Sequence, residues 1–321
     1  MLIAGGGINT NKDHKIRTYR PNANYRSLAV YGSSIEYDFT YKTNRLGLRE
    51  TSDCGIDLRN NFSTILPIAG DSFTEGYSAK SPWVKSIDKY SCGAGIAPLN
   101  LSFGGYGLHD MLNSLKFAKS NFKTDKAIVA LIENDFYRPY TPVKELDDCS
   151  TYHSEPWKQP RCGASSATWW HFDFRLNNSQ IISLAKSKHK PGITELFRPV
   201  AQKLKESIFS AMDHYNKNII VDQSIESLRK MTTIYPDRSL LLIQLPTKRT
   251  SRHGFHNKKI RKAVEELVLN NSLAYADLTQ CDMRGGFLEK DDHPNQRGHS
   301  LLRDCAINDK TIFDFFATTQ Y

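Results

Sequence analysis

Residues 64–76, TILPIAGDSFTEG, join a short apolar run to a Gly-Asp-Ser corner and a polar segment that can begin a helix. The apolar run predicts a buried strand, and Pro67, which has no N–H for a ladder, predicts a strand start or a bulge there. Gly70 permits a sharp turn, while Asp71 and Ser72 favour turns and helix N-caps. We therefore expect the Ser72 hydroxyl at the carboxyl end of a strand, where open α/β sheets keep their sites. Alone, such a corner is most often an ordinary turn, so its meaning depends on partners elsewhere.

Strand-like apolar runs alternate with helix-like segments along the rest of the chain. Strands are predicted at residues 65–69, 96–103, 127–132, 239–245 and 273–278. Helices are predicted at residues 82–90, 110–122, 225–233 and 257–269, with a last helix from about residue 295. Strands separated by helices pair in parallel through right-handed crossovers. The sequence therefore predicts an α/β protein, a three-layer α/β/α sandwich around a parallel five-stranded sheet.

The alternation begins late and is interrupted once. Residues 1–63 are polar and rich in tyrosine, and they predict an N-terminal extension with short strands, for example at residues 34–43. We expect residues 64–321 to form the main, catalytic domain. An insertion at about 137–218 carries clustered Pro, Cys, Ser and Trp, and its position after a strand suits a lid or a substrate wall. Its three tryptophans, Trp157, Trp169 and Trp170, more often form a small satellite core than a sugar-stacking surface.

Composition and charge narrow the classes of partner. The 321 residues are 39% hydrophobic and 24% charged, which is typical of a soluble globular protein, and no apolar run reaches the roughly 20 residues that cross a bilayer. Residues 1–15 make a poor signal peptide. The formal net charge of +9 favours an anionic partner or substrate. The basic runs 186–190 and 248–262 are most simply solvated faces, and no nucleic-acid-binding signature accompanies them.

Six cysteines permit disulfides but do not fix a pairing. None forms a CxxC pair, so a zinc or redox site is not expected. Cys149 and Cys162 are the first pair to test, because both lie in a segment typical of a loop. Free cytosolic thiols are the alternative. We favour a periplasmic or extracellular location over a cytoplasmic one.

Three further segments follow predicted strands and can meet Ser72 at one sheet edge. Residues 100–107, NLSFGGYG, offer open backbone N–H groups. Residues 132–136, IENDF, place Asn134 just past a buried strand. Residues 290–299, KDDHPNQRGH, place two carboxylates and His293 before the last helix. The carboxyl ends of parallel strands meet at one edge, so distant residues can share one crevice.

The four segments, in this order, resemble those of the SGNH, or GDSL, hydrolase family. The resemblance implies a flavodoxin-like strand order, Ser72 as nucleophile and His293 as base. It also implies an oxyanion hole formed by the N–H groups of Ser72 and Gly105 and by the side chain of Asn134. It covers residues 64–306 in scattered blocks and gives little guidance on the insertion.

The acidic member of the triad departs from the common family pattern. That pattern has aspartate three residues before the histidine, where this chain has Lys290. Asp291 lies two before His293, which resembles the Asp-x-His spacing of the family's acetylesterase and polysaccharide O-acetyltransferase branches. We prefer Asp291 to Asp292, because neighbouring side chains in an extended loop point apart. A Ser-His dyad that the carboxylate only supports is an alternative.

These residue types together suit acyl transfer through a covalent intermediate. A neutral serine needs a base, the base needs an orienting carboxylate, and the oxyanion needs fixed donors. We therefore expect a serine esterase that removes a small acyl group, acetyl first, from an ester that is small or carried on a glycan. No metal or cofactor is expected. The alternatives are an O-acyltransferase with the same residues and a non-catalytic glycan-binding module on the same fold.

Overall fold

The computed structural model describes residues 2–4, 9–11, 16–19, 21–31, 34–52, 64–138, 217–248, 255–289 and 291–317. The predicted insertion therefore lies almost entirely outside the described residues, with its three tryptophans, the basic run 186–190 and the pair Cys149 and Cys162. Lys290 also lies outside them.

The strands in the described part of the chain form three separate sheets. In chain order they are β1 (Leu2–Ala4), β2 (Asn9–Asn11), β3 (Ile16–Thr18), β4 (Asn24–Tyr31), β5 (Ser34–Lys42), β6 (Thr64–Ala69), β7 (Ile96–Asn100), β8 (Ala127–Leu131), β9 (Leu240–Gln244) and β10 (Ala274–Asp277). The last five form the main sheet, in the order β10-β9-β8-β6-β7, and every pairing in it is parallel. This is the flavodoxin-like order, with the strand that precedes Ser72 between β8 and β7.

Helices cover both faces of this sheet. They are α1 (Ser72–Glu75), α2 (Asp88–Ser91), α3 (Leu108–Asn121), α4, described over residues 217–234, α5 (Lys258–Asn270), α6 (Gln296–Asn308) and α7 (Lys310–Ala317). One core packs β6, β8 and β9 against α6, α7 and the turn around Trp83. The other packs the opposite face against α3, α4 and α5. The predicted three-layer α/β/α sandwich with a parallel five-stranded sheet is confirmed.

Two local expectations need correction, and one helix was missed. Pro67 lies inside β6, opposite Leu99, and not at a strand start or bulge. β8 pairs with β6 only at Ile68 and Ala69, so Pro67 lies where β6 is paired with β7 alone. A proline, which has no N–H to donate, is tolerated at such a position. The predicted helix at 82–90 is mostly a 3₁₀ turn, Trp83–Ile87, that continues into the short α2. Helix α7 was not predicted.

The N-terminal segment packs against the β7 side of the main sheet. β4 and β5 form an antiparallel hairpin outside that sheet. Ile16 and Leu48 are buried with Leu99 and Leu101, which lie in and just after β7. Next to them is an aromatic cluster, which we call the tyrosine cluster and which contains Tyr19, Tyr25, Tyr41, Phe103 and Tyr106. The N-terminal segment thus reaches the loop that follows β7.

A disulfide joins the segment after β10 to α6. It links Cys281, buried just past the turn Leu278–Gln280, to Cys305 in α6. Cys92 is also disulfide-bonded. Within the described part of the chain, no helix has the length and apolar character that a bilayer crossing requires.

The double substitution Cys281→Ser with Cys305→Ser should lower the free energy of unfolding by roughly 3 kcal/mol, because the bridge restricts the unfolded chain. The two cysteines are 24 residues apart, so a substantial loop loses its closure. Urea denaturation of the oxidised proteins measures the difference. Equal midpoints and slopes for the wild type and the double variant would contradict this expectation.

Candidate active site

The turn after β6 fixes the position of Ser72. Asp71 is the N-cap of α1, and its carboxylate accepts the Phe73 N–H at 2.9 Å. Gly76 ends this single helical turn in the left-handed region, at φ 73°, where a Cβ would meet Pro82 at 2.2 Å. The serine is only 5% exposed, so little of its surface is open to solvent.

His293 reaches Ser72 from the other end of the chain. Ser72 Oγ and His293 Nε2 are 2.7 Å apart, which is hydrogen-bond distance. The loop that carries the histidine is closed on itself, because the Leu288 N–H donates to the His293 carbonyl and the Asn295 N–H to that of Gly286. Ser78 donates its hydroxyl to the Pro294 carbonyl at 2.6 Å, and this bond ties the loop to the segment after α1.

Asp291 orients the imidazole. Its Oδ1 is hydrogen-bonded to His293 Nδ1 and also accepts the backbone N–H of His293 at 3.1 Å. The two side chains are about equally accessible, at 20% and 19% exposure. Asp292 is exposed. The carboxylate on the histidine ring is therefore the one two residues before it.

Two aromatic rings complete the surroundings of the histidine. The Tyr77 hydroxyl donates to Asp291 Oδ2 at 3.2 Å, so the two carboxylate oxygens hold the tyrosine and the histidine at once. The Tyr77 ring meets the imidazole edge-on, with centroids 4.6 Å apart. Phe73 lies on another side at 5.0 Å. Hydrogen bonds and ring contacts together leave the imidazole little freedom to rotate.

Two backbone N–H groups beside Ser72 are unoccupied among the described residues. The Phe73 N–H is taken by Asp71, and the Gly104 N–H by Glu75 Oε2 at 2.6 Å. The N–H groups of Ser72 and Gly105 have no such partner in the described part of the chain. A Cβ built on Gly104 would be 3.9 Å from the Ser72 Cβ, so this glycine loop lies next to the serine. Gly105 is exposed and has φ 83°, a conformation that favours glycine.

Asn134 lies in the turn Glu133–Tyr137, directly after β8, and is exposed. Because β8 pairs with β6, this turn and the Ser72 turn leave the same edge of the sheet. Arg138 connects them. Its Nη1 donates to Asp71 at 3.0 Å, to Asp135 at 2.7 Å and to the Tyr106 carbonyl at 2.6 Å.

This arginine compensates two buried carboxylates. Asp71 is 1% exposed and Asp135 is fully buried. Burial, and then the neighbouring Asp71, raise the pKa of Asp135 well above its usual range, while Arg138 opposes that rise. Three of the four segments thus share one guanidinium.

Sequence reasoning missed Tyr77, Glu75 and Arg138. Each lies within five residues of a residue that was predicted, but each has at least one partner that is distant in the chain, and no local spacing marks them. The second basic run, where described, is a helix face with ion pairs: Lys259 pairs with Asp222 and Lys262 with Glu266. Lys248 instead donates to the carbonyls of Leu288 and Glu289.

Comparison with known proteins gives matches among solved structures only. No family model matches the chain, and no curated protein matches it. The esterase EstA from Pseudoalteromonas sp. is 14% identical over 80% of this chain and 98% of its own, at a TM-score of 0.38. A member of the lipolytic protein G-D-S-L family from Veillonella parvula is 12% identical over 76% and 97%, at 0.40. A mutant of the acetyl-xylooligosaccharide esterase Axe2 from Geobacillus Stearmophilus is 14% identical over 77% and 94%, at 0.37.

In strand order and in its four segments, the chain resembles the SGNH hydrolases. The sheet has the order that this resemblance implies. Ser72, Asp291 and His293 lie in one hydrogen-bonded chain, and the Gly104–Gly105 loop lies beside the serine.

A second histidine near the site is buried and neutral. His299 in α6 is fully buried, and its Nδ1 accepts the backbone N–H of Trp83 at 3.2 Å. Its Nε2 is buried without a hydrogen-bond partner among the described residues. Burial, and then the charges of Arg49 and His293, lower its pKa from 6.5 to about 3.

Acidification should therefore destabilise the fold through His299. The unfolded chain binds this proton near pH 6.5 and the folded chain only near pH 3, so stability is complete above 6.5 and falls as the pH drops toward 3. The slope contributed by this one group is at most about 1.4 kcal/mol per pH unit. His299→Asn keeps an acceptor near the backbone N–H of Trp83. In this variant, the unfolding free energy should fall less steeply than in the wild type as the pH is lowered from 6.5 to 4. The exposed His256 provides the control His256→Asn, which should keep the wild-type slope. Equal slopes in all three proteins would show that His299 protonates freely in the fold.

Proposed function

We propose that this protein is a serine esterase of the SGNH type that removes a small acyl group, acetyl first, through an acyl-enzyme on Ser72. The observation that carries the proposal is the hydrogen-bonded chain from Ser72 Oγ through His293 to Asp291. Its three members come from two loops at the carboxyl edge of the sheet, which is where α/β proteins of this order keep their sites.

The acylation step follows from this arrangement. With its Nδ1 proton directed at Asp291, the imidazole leaves the Nε2 lone pair free to accept the Ser72 hydroxyl proton. The serine oxygen then bonds to the ester carbonyl carbon, and the carbonyl π electrons move to its oxygen. The carbonyl then re-forms as the bond between its carbon and the alcohol oxygen breaks, and His293 gives the proton to that oxygen, which leaves an acyl-serine and a free alcohol.

Deacylation repeats the sequence with water. Water gives its proton to His293 Nε2 and attacks the acyl carbon, and the proton returns to Ser72 Oγ as the carboxylic acid leaves. Throughout, Asp291 stabilises the imidazolium by charge and keeps the ring's tautomer, and it is itself held by Tyr77.

The negative oxygen of each tetrahedral intermediate needs preorganised donors. We assign this role to the N–H groups of Ser72 and Gly105, which are unoccupied among the described residues, and to the Asn134 side chain. Gly104 does not share the role, because its N–H is held by Glu75.

The proposal also covers the acyl group, the substrate class and the compartment. Acetyl is preferred because the Asp291-x-His293 spacing resembles that of the acetylesterase and O-acetyltransferase branches. A carbohydrate ester is the proposed substrate on the same resemblance. The disulfide Cys281–Cys305 supports a periplasmic or extracellular location, because such bonds persist in oxidising compartments.

An activated aryl acetate tests the triad. The wild type should hydrolyse it, and Ser72→Ala and His293→Ala should each lose on the order of 10⁴-fold or more in kcat. Asp291→Asn should lose on the order of 10³- to 10⁴-fold, because the ring loses its tautomer control. Asp292→Asn, the adjacent and exposed carboxylate, is the matched control and should keep the wild-type kcat.

An Asp291→Asn enzyme as active as Asp292→Asn would leave only a Ser-His dyad. No Ser72-dependent hydrolysis of any short acyl ester would favour a glycan-binding module. Adding a glycan acceptor shows whether the acetyl group goes to water or to a sugar hydroxyl.

The side-chain oxyanion donor has its own variant. Asn134→Ala should lower kcat by about 10²- to 10³-fold with little change in KM, because the lost hydrogen bond strengthens only as negative charge develops. Asn121→Ala, at an exposed position on the far end of α3, should leave both constants unchanged. If both asparagine variants behave alike, Asn134 takes no part in the oxyanion hole.

A further inference from the structure

Glu75 is a buried carboxylate three residues after Ser72 that the proposed chemistry does not use. It is 1% exposed, and burial raises its pKa above the usual value. An ionisable group taken out of water is costly unless partners compensate it. Its partners therefore indicate what it does.

Both carboxylate oxygens of Glu75 are occupied. Oε2 accepts the Gly104 N–H at 2.6 Å, and Oε1 accepts the Tyr19 hydroxyl. Tyr19 belongs to the tyrosine cluster, where its ring packs against Phe103 with centroids 4.8 Å apart. The carboxylate thus bridges the N-terminal segment and the glycine loop beside Ser72.

Arg49 binds the backbone at the end of α1 and just after it. It is 4% exposed, and its guanidinium donates to the carbonyls of Glu75 at 3.2 Å, of Gly76 at 2.5 Å and of Ala79. It also lies over the Tyr41 ring, at 4.5 Å from the centroid. Its positive charge opposes the rise in the pKa of Glu75. Tyr19, Arg49 and Glu75 form one buried polar unit, which we call the Glu75 anchor.

The glycine loop needs an external constraint. Gly104 and Gly105 are adjacent glycines, and glycine has the largest choice of backbone conformations. With the Gly104 N–H held by Glu75, the Gly105 N–H is the one of this pair that donates to no group among the described residues. A Cβ on Gly104 would be 3.9 Å from the Ser72 Cβ, so a shift of this loop would move the donor relative to the nucleophile. Misplacement of about 1 Å can cost on the order of 10²-fold in rate.

We propose that Glu75 is the positioning residue of the oxyanion loop and that Tyr19 and Arg49, from the N-terminal segment, hold it in place. The role of Gly105 as a donor rests on the proposed function, whereas the anchoring of Gly104 does not. The N-terminal segment is then part of the active centre, although it lies outside the main sheet.

Two substitutions of Glu75 separate positioning from packing. Glu75→Leu removes both acceptors at similar volume. Glu75→Gln keeps an acceptor for the Gly104 N–H and can donate its amide to the Tyr19 oxygen, so it is the conservative rescue. Two readouts are needed: amide hydrogen exchange in a peptide that covers residues 102–107, and kcat and KM for an aryl acetate.

In Glu75→Leu, we expect faster exchange in residues 102–107 and a kcat lower by about 10²-fold, with KM nearly unchanged. Glu75→Gln should restore slow exchange and most of kcat. Wild-type exchange in Glu75→Leu, or a lower kcat without faster exchange, would overturn the proposal. If the wild type shows no Ser72-dependent hydrolysis but Glu75→Leu still speeds exchange, the esterase proposal fails and the anchoring of Gly104 stands.

Tyr19→Phe tests the anchor if Glu75→Leu does not fold. It removes one hydroxyl and keeps the ring. Its matched control is Tyr25→Phe, in the same tyrosine cluster, whose hydroxyl is not hydrogen-bonded to Glu75. Exchange in residues 102–107 should be faster in Tyr19→Phe than in Tyr25→Phe, and kcat should be lower by about 10-fold. Identical exchange and kcat in the two tyrosine variants would refute the proposal.

Discussion

The hydrogen bond between Ser72 and His293 joins two residues that are 221 positions apart in the chain. It can form only if the loop after β6 and the loop before α6 leave the sheet at the same edge. The parallel sheet meets that condition, because the carboxyl ends of all its strands face one way. The disulfide Cys281–Cys305 adds a covalent constraint next to the histidine loop. The sheet topology, the hydrogen bonds that close the His293 loop and the disulfide therefore all help to place Ser72 Oγ 2.7 Å from His293 Nε2.

Polar groups buried around the Ser72 turn hold that turn in one position relative to the neighbouring loops. Arg138 joins the N-cap Asp71 to the turn after β8, and Glu75 joins the end of α1 to the glycine loop. Buried charges with good partners give little net stability, but removing one partner is expensive. Such groups favour one arrangement over nearby alternatives. The local structure thus holds several donors and acceptors in fixed positions, as the electrostatic catalysis proposed for this site requires.

The pattern of the sequence predicted the sheet, its parallel pairing and the segments that approach Ser72, because strand-helix alternation and strand-end motifs are local. Pro67 and the 3₁₀ turn at Trp83–Ile87 differed from expectation, since a neighbouring strand's extent and tertiary packing decide them. Tyr77 and Glu75 were not predicted, because their roles depend on partners far along the chain. The pairing of Cys281 with Cys305 could not be deduced either, since six cysteines allow many connectivities.

We propose that the Ser72 hydroxyl is a nucleophile that His293 activates. Stoichiometric labelling with a small fluorophosphonate tests it without knowledge of the natural substrate, because phosphorus takes the serine oxygen as fluoride leaves. Peptide mapping should find one equivalent of label, on Ser72, and labelling should be slow in His293→Ala. A folded wild-type protein that takes no label on Ser72, or takes it equally fast without His293, would contradict the account.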